Sequence, residues 1–317
     1  MAPYKQQHWL PCSYLQFFAI PGKETGSART AVVTRVSADG VRQVKTETVG
    51  AKKYFYRGGN EKPEQSEKLF TMLEGPYAEN IKRLKADHKL DKSTRLRILN
   101  YLISLHLRNP AYVNATKLNN FEKFQAMTEV MLNAMVGGYA VPPRPLEFDI
   151  SQIVKRFEGT GIIPDPNALW ASQILAEEVA RIWDLQFVKS NDSRLFTTDH
   201  PVIILGELHP HIVLAPVTPE LLAVGIDNRR YGFARNWLTS ADEVRVQNLL
   251  YAQSQGAIFT HIEDVHEVQP WIDALKDTSD VDNATHVAET GWTPQILQTI
   301  KLEKLGFSFD FVERSGI

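Results

Sequence analysis

Apolar positions recur at two different periods along this chain, and each change of period marks an element. Over residues 31–56 the pattern is a strand, Ala31-Val32-Val33-Thr34-Arg35-Val36, a turn at Ala38-Asp39-Gly40, and a second run over 41–49 in which polar and apolar residues alternate. This predicts a β-hairpin. A loop through Gly58-Gly59-Asn60 and the charged stretch to Glu67 then leads into a helix on which Phe70, Leu73, Tyr77, Ile81 and Leu84 share one face. Gly75-Pro76 falls inside that stripe and predicts a kink or a fresh helix start at residue 76, because proline cannot donate to the preceding turn and clashes with it. Helices are predicted over 91–107, with Ile98, Leu99, Leu102 and Leu105 inward, and over 119–136, ended by Gly137-Gly138. Pro142-Pro143-Arg144-Pro145 is a stiff surface crossing, and Asp165-Pro166 opens a helix carrying Ala171, Leu175, Val179 and Ile182 on one side.

From Leu185 the period shortens. Apolar runs at 185–188, 202–205, 211–215 and 221–226, separated by Gly, Pro and Asp, predict sheet strands. Ser240-Ala241-Asp242-Glu243 then fits a capping box that opens a helix reaching His261. Strands and helices come in blocks rather than in regular alternation. The expected class is therefore α+β: a helical block packed on a mostly antiparallel sheet, with an N-terminal hairpin, in one compact domain over 1–317.

Composition narrows the class further. The chain has 317 residues, 43% hydrophobic and 23% charged, with a formal net charge of -2, the balance of a globular protein rather than a disordered or fibrous one. At this length roughly three quarters of the unfolded chain's surface is removed from water on folding. The one cysteine, Cys12, excludes an internal disulfide and a cysteine-based zinc cluster and fits a reducing, cytoplasmic setting. The first residues lack the basic-then-apolar pattern of a secretory signal, and no run nears the roughly 20 apolar residues of a membrane span. Residues 82–97 are locally basic through Lys82, Arg83, Lys85, Lys89, Lys92, Arg95 and Arg97, which a solvated helix face explains as well as a nucleic-acid contact does.

Four places could carry chemistry. Phe196-Thr197-Thr198-Asp199-His200-Pro201-Val202 ends an apolar segment in hydroxyls, an acid and a histidine, and Pro201 stops strand pairing, so Asp199 is held at a sheet margin. Such a turn suits a catalytic carboxylate, and it equally suits an aspartate that caps its own turn. The aromatic-rich segment from Gln7 to Phe18 must be packed despite its terminal position, and His8 ahead of it could act as a general base or sit hydrogen-bonded at the core's edge. Glu74, at the border of its helix's apolar stripe, is expected to be half-buried with Arg108 as a partner. His209-Pro210-His211 and His261 with His266 do not match a zinc-binding helix motif, no phosphate loop or nucleophile elbow is present, and Cys12 reads as packing.

Taken in order, these features resemble the bacterial family called domain of unknown function 4238. The resemblance rests on a Gln-His-aromatic-Leu-Pro-x-x-Tyr-Leu opening over 7–15, Leu73-Glu74 in an early helix and an Arg-x-Pro at Arg108 to Pro110. It continues in the Thr198-Asp199-x-Pro201 turn, a Pro-x-Thr-Pro segment from Pro216 to Pro219 and Asn248 in a late helix, and spans 7 to about 260, with 261–317 as an extension. Two departures stand out: Gly75-Pro76 interrupts a helix the family usually continues, and His200 replaces a more typical Asn.

The resemblance implies a single-domain protein of bacteria and phage-related elements, with some relatives counted among anti-phage genes, and it supplies no activity. It does imply that His8, Glu74, Arg108, Asp199 and Asn248 are gathered by the fold. An acid, a base and a cation converging would suit phosphodiester hydrolysis by a nuclease or nucleotide phosphoesterase: Asp199 and Glu74 holding Mg²⁺ or Mn²⁺ or activating water, His8 moving a proton, Arg108 facing the anionic transition state. Gln7, Thr198, His200 and Asn248 are the accompanying binding positions. The near-neutral charge favours a small nucleotide or a short single strand over duplex DNA. Two other expectations stand beside this one: a non-catalytic sensor of a phage component or small ligand, and a purely structural cluster that clamps the N-terminal segment onto the sheet.

Overall fold

The computed structural model describes residues 6–24, 26–53, 63–107, 109, 183–205, 212–227, 231–232, 237–254, 256–278 and 312–313. The alternating run near the N-terminus folds as expected: β2 (Val32–Ser37) and β3 (Gly40–Lys45) pair antiparallel with Val36 opposite Val41. Gly40 takes φ +116°, a value only glycine adopts freely, and so closes the turn. The second strand stops at Lys45, where a 3₁₀ turn, Thr46–Thr48, replaces the longer strand expected from the pattern. Ahead of the hairpin, β1 (Gln6–His8) pairs antiparallel with β4 (Ala51–Lys53), and the short helix α1 (Cys12–Leu15) runs into a 3₁₀ turn, Gln16–Phe18. Leu10, Tyr14, Leu15 and Phe18 are fully buried, so this opening segment is part of the core.

The helix α2 (Pro63–Lys85) runs unbroken through Gly75-Pro76. Of the two expectations at residue 76, a kink or a fresh helix start, the fresh start is therefore corrected. Gly75 and Pro76 are exposed, and an added Cβ at Gly75 would meet nothing within 4 Å, so this stretch of the helix lies open. In α3 (Lys92–Leu107), Asp91 accepts from the Thr94 amide at 2.7 Å as the cap, and Ile98, Leu99, Leu102 and Leu105 are buried. The helix expected over 119–136, the Pro142–Pro145 crossing, the helix from Asp165 and His209-Pro210-His211 lie outside the described residues.

The short apolar runs form β5 (Trp183–Lys189), β7 (Ile203–Leu205), β8 (Ile212–Thr218) and β9 (Leu221–Asp227), an antiparallel sheet ordered β5-β9-β8-β7. Every residue of β8 is buried, because both faces of this sheet are covered. Trp183, Leu185, Val213, Ala215 and Ala223 pack with α2 and α3 on one side, while Ile212, Leu214, Val224 and Ile226 pack with Val246, Leu249 and Leu250 of α4 (Ser240–Gln253) on the other.

A second four-stranded antiparallel sheet, ordered β3-β2-β11-β6, joins the hairpin to β11 (Ile258–Thr260) and β6 (Thr197–Thr198). The chain is thus α+β, with helices and, among the described residues, two four-stranded antiparallel sheets where one sheet was expected. The helix expected to reach His261 ends at Gln253, and its capping box is Thr239 with Asp242, one residue earlier than expected: Thr239 Oγ1 accepts from the Asp242 amide and the Asp242 carboxylate accepts from the Thr239 amide. Gly256, at φ +116°, turns the chain into β11. Helix α5 (Val265–Thr278) and the small pair β10 (Tyr231–Gly232) with β12 (Val312–Glu313) complete the described elements.

Candidate functional site

Because β6 is only two residues long and lies at a sheet edge, the chain must leave it at once, and Asp199-His200-Pro201 forms the exit. Thr198 is fully buried. Its hydroxyl donates to the His200 carbonyl at 2.8 Å and accepts from the His200 amide at 3.2 Å, which closes the turn on itself. Asp199 follows with its amide on the Ala257 carbonyl at 3.1 Å and its own carbonyl accepting from Asn109 Nδ2 at 2.9 Å. Its carboxylate is half-buried, and Oδ1 accepts from Ser254 Oγ at 3.0 Å.

Ser254 is held in turn. Its Oγ accepts from the amides of Gly256 and Ala257, each at 3.2 Å, and its hydrogen has two acceptors in reach, Asp199 Oδ1 at 3.0 Å and the Ala257 carbonyl at 3.3 Å. The backbone of Asp199 is thus held by Asn109, just after α3, and by Ala257, just before β11, while its carboxylate is held by Ser254 in the bend after α4.

Beside it, His200 Nε2 lies 3.1 Å from His106 Nδ1, and the rings are tilted by 40° with centroids 5.0 Å apart. His106 Nδ1 also lies 3.4 Å from the Val202 carbonyl oxygen. A carbonyl cannot donate, so the hydrogen sits on His106 Nδ1 and is shared between that oxygen and His200 Nε2, which then acts as an acceptor. Burial pushes the His106 imidazole down to about 4, opposed only by the Val202 carbonyl, and it is neutral at pH 7. A neutral imidazole facing a second one across a hydrogen bond can pass a proton to it.

The other residues chosen from sequence make the following contacts. His8 Nε2 lies 3.2 Å from the Glu47 carbonyl and must donate to it, and His8 stands opposite Ala51 in the β1–β4 pair. Gln7 stands opposite Lys52. Glu74 is half-buried and accepts from Ser13 Oγ at 3.2 Å, close enough to Cys12 to act on it electrostatically. Burial, the largest influence there, raises the Cys12 thiol above its ordinary value and keeps it protonated, as a packing residue would be. Asn248 is exposed on α4. Arg108 lies outside the described residues, between His106 and Asn109, which both belong to the Asp199 cluster.

Among the described residues no three His, Cys, Asp or Glu side chains converge as a metal cage. The described helices include none long and apolar enough to cross a membrane.

Sequence reasoning missed His106, Asn109 and Ser254. His106 carried a signal: it falls four residues after Leu102 and seven after Leu99, on the buried face of α3, where a polar ring needs a partner. Ser254 and Asn109 carried none, being ordinary loop residues.

A family model described as "Protein of unknown function (DUF4238)" matches residues 6–264. No curated protein and no solved structure matches the chain.

Proposed function

The chain belongs to that family of proteins of unknown function, and from this premise we propose that it hydrolyses a phosphodiester or phosphoester bond in a small nucleotide or a short single strand, as a defence effector would. Asp199 is the general base. One of its oxygens is held by Ser254, and the carboxylate takes the proton from the attacking water. The His200–His106 pair supplies hydrogen-bonding imidazoles next to the developing phosphoryl charge, and Arg108, one residue before Asn109, supplies the cation that charge requires. The observation that carries the reading is the contact of two imidazoles at 3.1 Å, one of them neutralised by burial, in the same turn as a half-buried carboxylate that accepts from Ser254.

The same contacts favour a second reading. Asp199 uses its amide, its carbonyl and one carboxylate oxygen on Ala257, Asn109 and Ser254, so it is also a lock that pins the edge strand to α3 and β11.

One pair of variants separates the two. Purified protein incubated with mixed tRNA, single-stranded DNA and mononucleotides, with and without Mg²⁺ or Mn²⁺, should release product. Asp199→Asn, which keeps the hydrogen bond from Ser254, should abolish turnover and shift Tm by no more than a few degrees. Ser254→Ala should lower turnover less. Full activity in Asp199→Asn ends the catalytic reading and leaves the lock.

A further inference from the structure

We propose that a cleft on the far side of the α2 terminus binds a small phosphomonoester of mononucleotide size, with Lys82 and Lys85 on its anionic group and Phe17 against its ring. The site stands independently of the Asp199 cluster, none of whose residues line it. Its volume is about 420 Å³, within the usual range of small-molecule sites. Five separate segments form the walls: the 3₁₀ turn with Phe17, the loop before β2 with Glu24, the last turn of α2 with Lys82 and Lys85, the β8–β9 turn with Glu220, and His261 just after β11. Convergence of that many segments on one hollow is unlike a surface wrinkle on a single loop.

Neither lysine is tightly engaged among the described residues. Lys82 and Lys85 stand three residues apart, on one side of the helix, where like charges repel unless an anion bridges them. Lys85 reaches only 3.9 Å from Glu220, a loose pair, and Lys82 enters no ion pair among the described residues.

Two atoms of the lining add to this. His261 Nδ1 is buried and has no hydrogen-bond partner among the described residues, which is the state a ligand's polar group would relieve, while Glu220 Oε2 has only the loose ion pair with Lys85. Burial lowers the His261 imidazole from its ordinary value, so at neutral pH it offers one hydrogen bond rather than a third positive charge.

The two carboxylates select the ligand class. Glu24 and Glu220 balance the two lysines, so a bare polyanion gains little, whereas a molecule with one anionic end and amino or hydroxyl donors matches both sets. Phe17, held edge-on by Tyr77 at 6.1 Å and 80°, gives a fixed apolar wall for a ring.

Calorimetric titration of the full chain with AMP, CMP, GMP and UMP tests the assignment, with inorganic phosphate and adenosine as controls. At least one nucleotide should bind with a micromolar Kd, and the double variant Lys82→Gln, Lys85→Gln should weaken it at least ~10-fold with an unchanged melting curve. His261→Phe should weaken it as well. No binding by any of the four up to millimolar concentration, equal affinity for inorganic phosphate, or unchanged affinity in the lysine variant would each overturn the assignment.

Discussion

The Tyr14 hydroxyl lies 2.9 Å from Thr197 Oγ1 and 2.6 Å from the Pro216 carbonyl, joining the opening segment to the strand that leads into the Asp199 turn. A carbonyl can only accept, so the phenol donates to Pro216, and Thr197 donates to the phenol. All of this is buried, and burial raises the phenol well above its ordinary value, so it holds its proton throughout the working pH range. Tyr14→Phe leaves two buried polar groups without a partner. Stability should fall by about 1–3 kcal/mol, read from urea unfolding at unchanged m.

The neutral His106 makes stability depend on pH in a defined window. Its folded value of about 4 lies below the ordinary 6.5, so between these values the unfolded chain binds the extra proton. Stability from this group is complete above about pH 6.5, is lost as pH falls toward 4, and changes no further below that. The loss should not exceed about 3–4 kcal/mol. Urea midpoints at pH 7.5, 5.5 and 4 should fall in that order, and His106→Gln should flatten the slope.

Gly50 should tolerate no side chain. It sits at φ +60°, and a Cβ there would lie 2.5 Å from Leu10 Cβ and 3.0 Å from the Leu10 carbonyl oxygen. Its own carbonyl accepts from the Trp9 and Leu10 amides, so it cannot retreat. Gly50→Ala should cost about 2–5 kcal/mol from backbone strain and overpacking together, visible as a lowered Tm.

Thr239→Ala removes one half of the α4 capping box. About 1 kcal/mol of stability should be lost, and Thr239→Ser should recover most of it. Ser240→Ala should change little, because Ser240 is already inside the helix.

Legibility in the sequence followed locality. The hairpin, α3 and four strands of the covered sheet were readable because apolar period and turn residues specify them within a few positions. β6 and β11 were not: two and three residues carry no period, and Ala257-Ile258-Phe259 continues the apolar content of the helix before it. Ser254 and Gly256 marked the break, and the glycine alone permits its backbone angle. At the cap, Thr239 and Ser240 both stand three residues ahead of an acid, so spacing could not choose between them. The Asp199 turn was legible as a sheet margin from its proline. Its partners were not, because Asn109 and Ser254 reach it from 90 and 55 residues away along the chain. The cleft beside Lys82 belongs to the same class, since only folding brings its five segments together.

The position of β11 between β2 and β6 has a consequence for biosynthesis. The hairpin leaves the ribosome early with one edge bare, and the strand that covers that edge is translated only after β5 to β9 and the whole of α4. Until residue 260 emerges, nascent chains carry an open template for intermolecular pairing. A stop codon before Ile258 should therefore yield an insoluble product, whereas the full chain should not.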